Sequence, residues 1–270
     1  MVVQHNLQAA NTNRMLGQNV KAVQKSTEKL SSGYQVNRAA DDAAGLSISE
    51  KMRNQIRGIN QAVKNSEDGV SLIQTAEGNM NEIHSILQRM GELATKAAND
   101  VNATEDREAI KDEMTQLKEE INSIAKKAAF NGTKLLTGSF KNKQLQVGAV
   151  AGENMAISIS SMSSTSLQVN NLKVSTHAAA SSAMTKITAA IKTVSGARSK
   201  LGAIQNRLEY TINNLKNYSE NLTAAESQIR DTDMASEMTN YSKNNILQQA
   251  AQSMLAQANQ STQGVLSLLQ

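Results

Sequence analysis

The chain contains no proline anywhere in its 270 residues. Proline breaks or kinks a helix, because it has no backbone N–H and its ring clashes with the preceding turn; average usage is about 5%. A chain of this length without any can run helices uninterrupted, and its apolar residues are spaced to match. From Met52 they follow as Ile56, Ile59, Val63, Ser66, Val70, Ile73, Ala76, Met80, Ile83, Leu87, Met90, Ala94 and Ala97. Steps of four and three alternate, with one extra three between Ile73 and Ala76, which reads as a heptad seam carrying a stammer. At 1.5 Å per residue, residues 46–98 would make a helix of roughly 80 Å. A stripe that long needs partners.

Two are present. Ile110, Met114, Leu117, Ile121, Ile124 and Ala128 repeat the four-three pattern, opened by Thr104 as the expected N-cap with Glu105 and Asp106 in the first turn, where the helix dipole favours acids. The short connection over 99–103 predicts an antiparallel return. The cleanest seam is Ile187, Ala190, Val194, Ala197, Leu201, Ile204, Leu208, Thr211, Leu215, Tyr218, Leu222, Ala225 and Ile229. Aromatic residues are 2% of the chain, so the apolar supply suits narrow helix–helix seams better than a thick core anchored on rings. The expected fold is all-α dominated, an elongated antiparallel helical bundle or coiled-coil rod.

Residues 130–182 change character, becoming rich in Ser, Gly, Asn and Thr. Lys143 to Ala149 and Met155 to Ser160 alternate apolar and polar positions around residues 150–154, which predicts a small β-hairpin insertion. The segment is too short for an independent core of any size. The chain therefore divides into an N-terminal helix and linker (1–45), two bundle helices (46–129), the hairpin segment (130–182), a third bundle helix (183–231) and a C-terminal helix (232–270).

The two ends form a matched pair. The first 13 residues carry no Lys, Arg, Asp or Glu, and neither do the last 27, Asn244 to Gln270, ten of which are Asn or Gln. A C-terminal seam runs Leu247, Ala251, Met254, Ala258, Ser261, Val265, Leu268, with Leu255 and Leu266 beside it. The N-terminal one is weaker, through Ala9, Asn13, Leu16, Val20, Val23, Thr27, Leu30 and Tyr34. Helices with apolar seams and uncharged, amide-rich outer faces make poor solvated surfaces. They are expected to pair and to be surrounded by other protein.

Chemistry is hard to find. Absence of cysteine excludes disulfides, a thiol nucleophile and Cys-ligated metal. His5, His84 and His177 are isolated, without HxxxH or HExxH spacing. Asp41 and Asp42 follow Asn37-Arg38 and precede Ala43-Ala44-Gly45, which reads as a helix start with an Arg partner. Gly132, Gly138, Gly148 and Gly152 form no phosphate-binding motif. The net charge of +4 is spread in mixed-sign clusters, and without a basic stripe or stacking aromatics no nucleic-acid partner is expected. Neither a cofactor nor enzymatic activity is expected. No continuous apolar run reaches 18 residues, so no membrane insertion is expected. The N-terminus lacks the basic and apolar regions of a secretory signal, so export would need another route.

Several runs then become recognisable. Leu30-Ser-Ser-Gly-Tyr-Gln-Val-Asn-Arg38, continuing Ala39-Ala-Asp-Asp-Ala-Ala-Gly-Leu46-Ser-Ile-Ser-Glu50-Lys-Met-Arg53, resembles the N-terminal signature of the bacterial flagellins. Arg198-Ser-Lys-Leu-Gly-Ala-Ile-Gln-Asn-Arg207, Glu220 through Glu237, and Leu255-Ala-Gln-Ala-Asn-Gln260 with Val265 to Leu269 are similar to that family's C-terminal half. The chain departs from many members at Thr262-Gln263, where a Pro-Gln pair is common, and in having only residues 130–182 where large outer domains are often inserted. A comparatively smooth filament would result.

The resemblance implies a structural subunit of the extracellular flagellar filament. It would be exported unfolded by the flagellar type III apparatus and held beforehand by a secretion chaperone at its C-terminal helix. Its partners would be copies of itself, the cap and the junction proteins. The terminal helices would line the inner tube and contribute Leu16, Val20, Val23, Leu30, Leu247, Met254, Leu255, Val265, Leu266 and Leu268 to assembly. The resemblance also implies that host Toll-like receptor 5 recognises Arg89, Leu93 and Glu113. Arg89 and Leu93 lie off the heptad seam and are expected at the surface. Gly91 stands where many stimulating flagellins carry Arg. A hook–filament junction protein shares similar end helices, but the long match through Asn37 to Arg53 and at the C-terminal Leu-Leu-Gln favours the filament subunit. A cytoplasmic coiled-coil scaffold would keep charged e and g positions to its ends, and this chain does not.

Overall fold

The computed structural model describes the backbone of residues 6–267 and the side chains of residues 6–261; His5 and Leu268 lie outside these residues, as do the side chains of Val265 and Leu266. Among the described residues five helices account for most of the chain: α1 (Leu7–Ser32), α2 (Ala43–Ala97), α3 (Thr104–Lys127), α4 (His177–Arg230) and α5 (Met234–Ser267). Two antiparallel strand pairs stand between α3 and α4: β1 (Ala129–Phe130) with β2 (Thr133–Lys134), and β3 (Lys143–Gln146) with β4 (Asn154–Ile157).

Short polar side chains start the helices. Asn6 Oδ1 accepts from the Ala9 N–H at 2.9 Å. Asp42 Oδ1 accepts from Ala44 and Gly45, Thr176 Oγ1 from Ala179, and Asp233 Oδ1 from Ala235 and Ser236. Each satisfies donors that the first helical turn leaves without a partner. At α3 the expectation is corrected. Thr104 is the first helical residue rather than the cap, and Asp106 reaches back to the Ala103 N–H at 3.2 Å. Gly33, at φ +74°, closes α1 by donating to the Lys29 carbonyl, a left-handed position that costs glycine nothing. The third bundle helix begins at His177, ahead of residue 183, because Thr176 caps it there.

The chain resolves into two units, residues 57–219 and residues 1–56 with 220–270, the division falling inside α2 and inside α4. In the 57–219 unit, α3 and α4 both run antiparallel to α2. Asn60 meets Ser219, Glu67 meets Lys216 and Glu77 meets Arg198 along α4, while Arg89 meets Glu113 on α3. Buried along α2 are Ile59, Val63, Ser66, Ile73, Ala76, Met80, Ile83, Leu87, Met90, Ala94 and Ala97, which is the heptad path with its stammer. Ile121, Leu201 and Leu208 are buried opposite; Val70, Leu117, Ile204 and Leu215 are half-buried, as are Ile56 and Leu222 of the other unit. Tyr218, expected on the seam, is 48% exposed, and Ile212 is buried.

The hairpin segment makes no second core. Leu135, Leu136, Met155, Ile157, Ile159, Met162, Val169 and Val174 join the same apolar cluster as the helices. Leu145 packs over Gly69, and Ala149 over Gly58, where the missing side chains let β3 and its loop approach α2.

In the other unit α1 and α5 lie along each other. Asn6 Nδ2 donates to the Ala258 carbonyl at 3.0 Å, Lys29 faces Glu237, and Tyr34 forms a bridge with Asp231, so the pair is antiparallel.

Candidate functional site

No candidate for bound-ligand chemistry emerges among the described residues. They contain no cluster of His, Asp or Glu that could hold a metal ion, and no helix long and apolar enough to cross a membrane. Asp41 and Asp42 are separated in role. Asp42 caps α2, while Asp41 pairs with Lys25 at 2.9 Å and accepts from the Arg38 backbone N–H. Lys25, and not the expected arginine, is its ionic partner; Arg38 pairs with Glu28 instead. The Lys25 ammonium, hydrogen-bonded to Asp41, holds that carboxyl below its ordinary range, and the carboxylate pushes Lys25 up. His177 Nδ1 lies 2.6 Å from the Ala98 carbonyl, joining the ends of two helices.

The surfaces left for function are two. The first is the α1/α5 pair. Leu16, Val20, Val23 and Leu30 are half-buried on α1, around the buried Ser26. The facing side of α5 is Tyr241, Asn245, Gln248, Ala251, Leu255 and Ala258, of which Ala258 is buried. Four of the six side chains on this line are alanine or amides. Several large apolar residues are nevertheless turned outward. Leu247 and Met254, expected inside the seam, are 42% and 52% exposed, together with Met234, Met238 and Ile246 on α5 and Leu7 and Met15 on α1. A pair that is charge-free over residues 7–13 and 244–261 and exposes this much apolar surface has its own intramolecular contact and still presents a second face; patches of that kind mark protein interfaces.

A set of polar contacts ties the end of this pair to the start of α2. The Arg230 guanidinium stacks 4.8 Å from the centre of the Tyr34 ring and donates to Glu50 at 2.7 Å. Ser49, buried, donates to Glu226 at 3.0 Å, and Arg53 lies 3.7 Å from the same carboxylate. Backbone bonds from Gln35 to Arg230 and from Thr232 to Gly33 fix the crossing. Sequence reasoning passed over Tyr34 and Arg230 as a unit, because their separation along the chain leaves no local signal.

The second surface is on α2 and α3. Arg89 is exposed and donates from Nε and Nη2 to one oxygen of Glu113, at 3.0 and 2.9 Å, and from Nη1 to Glu92. Glu113 and then Glu92 raise the guanidinium pKa further above its ordinary value. Leu93, expected at the surface, is 4% exposed and belongs to the apolar cluster. It lies beside Ile110 at the floor of a groove whose rim is Arg89, Glu92, Lys96 and Glu113. The reason is that α2 meets both α3 and α4, so it buries a stripe wider than one heptad seam.

These features match known proteins along almost the whole chain. Residues 3–141 match the bacterial flagellin N-terminal helical region, and residues 184–269 match the bacterial flagellin C-terminal helical region. The chain is 53% identical to a flagellin of Halalkalibacterium halodurans over 271 residues, and 48% identical to a flagellin of Bacillus subtilis over 305; each alignment covers 100% of both chains. The crystal structure of Bacillus cereus flagellin is similar with a TM-score of 0.52 and 32% identity, over 60% of this chain and 94% of that one. With both terminal regions matched in order and full-length relatives at this identity, the chain belongs to the bacterial flagellin family.

Proposed function

We propose that this flagellin polymerises with copies of itself into the extracellular helical filament that drives swimming, the α1/α5 pairs of neighbouring subunits packing together. The observation that carries this reading is the set of outward-turned apolar residues Met15, Met234, Met238, Ile246, Leu247 and Met254 on two helices whose chain-terminal ends lack charge. Contacts between unlike faces of identical subunits propagate a filament where the rotation between them does not close a ring.

The same exposed apolar helix is an aggregation hazard before export, which supports a secretion chaperone covering α5 in the cytoplasm and transit of the unfolded chain through the flagellar type III apparatus. Cap and junction proteins would meet the ends of the polymer. The Arg89–Glu113 face, with Leu93 supporting it from beneath, is the surface for Toll-like receptor 5.

Seeded polymerisation tests the central reading. Purified chain mixed with filament seeds and salt is expected to give long uniform filaments by negative-stain microscopy, and Leu247→Asp to give none while the chain melts as before. Wild-type protein that stays soluble on seeds, or a Leu247→Asp variant that grows normally, would remove the proposal.

A further inference from the structure

The methionines are sorted by exposure. Within residues 57–219, Met80, Met90, Met114, Met155 and Met162 are 0–8% exposed and fill the core, a use that suits their flexible thioethers. On α1 and α5 the order is reversed: Met15, Met234, Met238 and Met254 are 46–52% exposed. Met52 and Met184 are half-buried. The chain holds no cysteine, so no thiol competes for a two-electron oxidant, and accessible thioethers are the next side chains on the oxidation ladder.

We infer that Met15, Met234, Met238 and Met254 are oxidation sites whose conversion to sulfoxide keeps this chain out of the filament. The inference rests on the assembly reading proposed above. A peroxide is the oxidant. The methionine sulfur attacks one peroxide oxygen, an S–O bond forms as the O–O bond breaks, sulfur gives up two electrons, and the second oxygen leaves as water. The product is polar, chiral and hydrogen-bonding where an apolar side chain stood. Met254 lies with Leu247 on one side of α5, and Met234 and Met238 lie one turn apart on another, so the oxygens enter the exposed apolar surface on both flanks of the pair. Burying a sulfoxide there without a donor opposes assembly, whereas burying the thioether favours it. Packing also closes the thioethers off from solvent. Oxidation therefore acts on the free subunit and spares subunits already incorporated, a difference the five core methionines cannot show because they are covered in both states.

Free full-length subunit and seeded filaments are exposed to millimolar hydrogen peroxide. Sulfoxides are placed by peptide mass spectrometry, and seeded growth is followed by sedimentation. In the free subunit the four exposed methionines are expected to react about tenfold or more faster than the five buried ones, and to slow by a similar factor in the filament. The oxidised subunit is expected to lose most of its seeded growth and to regain it after treatment with methionine sulfoxide reductases A and B. Equal reaction rates at all nine methionines, undiminished growth of the oxidised subunit, or growth that the reductases fail to restore would each overturn the inference. If untreated subunit fails to grow on seeds, the assembly reading falls and takes this inference with it. Growth that is indifferent to peroxide defeats this inference alone.

Discussion

Arg89 on α2 and Glu113 on α3 share two hydrogen bonds to a single carboxylate oxygen, both at 3.0 Å or less, across the rim of the groove that Leu93 floors. Both side chains are about half exposed, and exposed ion pairs add little to stability. On the receptor reading proposed above, their value lies in the charged, fixed shape they present. Arg89→Ala is expected to leave thermal melting nearly unchanged and to lower binding of the free subunit to Toll-like receptor 5 at least several-fold. Surface plasmon resonance beside a melting curve reads both. Leu93→Ala acts differently: a buried leucine costs about 2–5 kcal/mol when cut to alanine, so its loss of binding would come with a loss of stability. Unaltered binding by Arg89→Ala would take the receptor off this face.

Heptad arithmetic puts Leu87 and Tyr218 on equivalent lines, and the structure separates them, Leu87 being fully buried and Tyr218 48% exposed. In urea unfolding Leu87→Ala is expected to cost about 2–5 kcal/mol. Tyr218→Ala is expected to stay within about 0.5 kcal/mol of the unchanged chain. Similar losses for the two would mean that the bundle continues past Ile212 as a closed seam.

Gly58 and Gly78 both lie inside α2, and they should respond to alanine with opposite signs. A Cβ on Gly58 would come within 2.9 Å of the Ala149 Cβ and 3.4 Å of its Cα, and alanine has no rotamer with which to move aside. Nothing lies within 4 Å of the Cβ position at Gly78. Alanine is favoured over glycine inside a helix by about 1 kcal/mol, so Gly78→Ala is expected to raise the melting temperature. At Gly58 an overpacking cost of about 1–3 kcal/mol outweighs that gain, and the melting temperature falls. Stabilisation by both substitutions would show that the loop after β3 is free to leave α2.

The α2 seam was legible because a period of three and a half survives over many turns. Even its polar member was placed correctly: Ser66 is buried, its hydroxyl donating to the Ala62 carbonyl at 2.8 Å. Periodicity failed where a helix has more than one neighbour or a small-residue contact. Leu93 is buried because α2 serves two partners. Leu247 and Met254 face outward because α5 turns the line Tyr241, Gln248, Ala251, Leu255 and Ala258 to α1, so that of the expected seam Ala251 and Ala258 are covered and Leu247 and Met254 are not. The pair β1–β2 did carry a local signal that went unused. Asn131-Gly132, both at positive φ, make the two-residue turn between Phe130 and Thr133, as Asn-Gly does in tight hairpins. The stacking of Arg230 on Tyr34 joins residues with no shared pattern, and only the folded chain brings them together.

Lys25 and Asp41 join the end of α1 to the loop before α2 through a 2.9 Å contact, and their titration gives that joint a definite pH range. The Lys25 hydrogen bond, with the Arg38 N–H adding to it, holds the Asp41 carboxyl below its ordinary 3.8. Folded, this carboxyl binds fewer protons than unfolded, so its contribution is fully present above 3.8 and is lost as pH falls through the depressed folded value. Lys25 is raised above its ordinary 10.5, first by its hydrogen bond to Asp41. Its contribution is fully present below 10.5 and is lost as pH rises through the raised folded value. The pair therefore holds across the neutral range and releases at both extremes. Both groups meet solvent, so salt weakens the effect. At low salt, Asp41→Asn is expected to lower the urea midpoint slightly at neutral pH and to flatten its decline between about pH 5 and pH 2. Lys25→Met is expected to return the Asp41 carboxyl toward its ordinary value, read by NMR titration, and high salt should shrink both differences. An acid decline as steep in Asp41→Asn as in the unchanged chain would show that this pair contributes no proton linkage to folding.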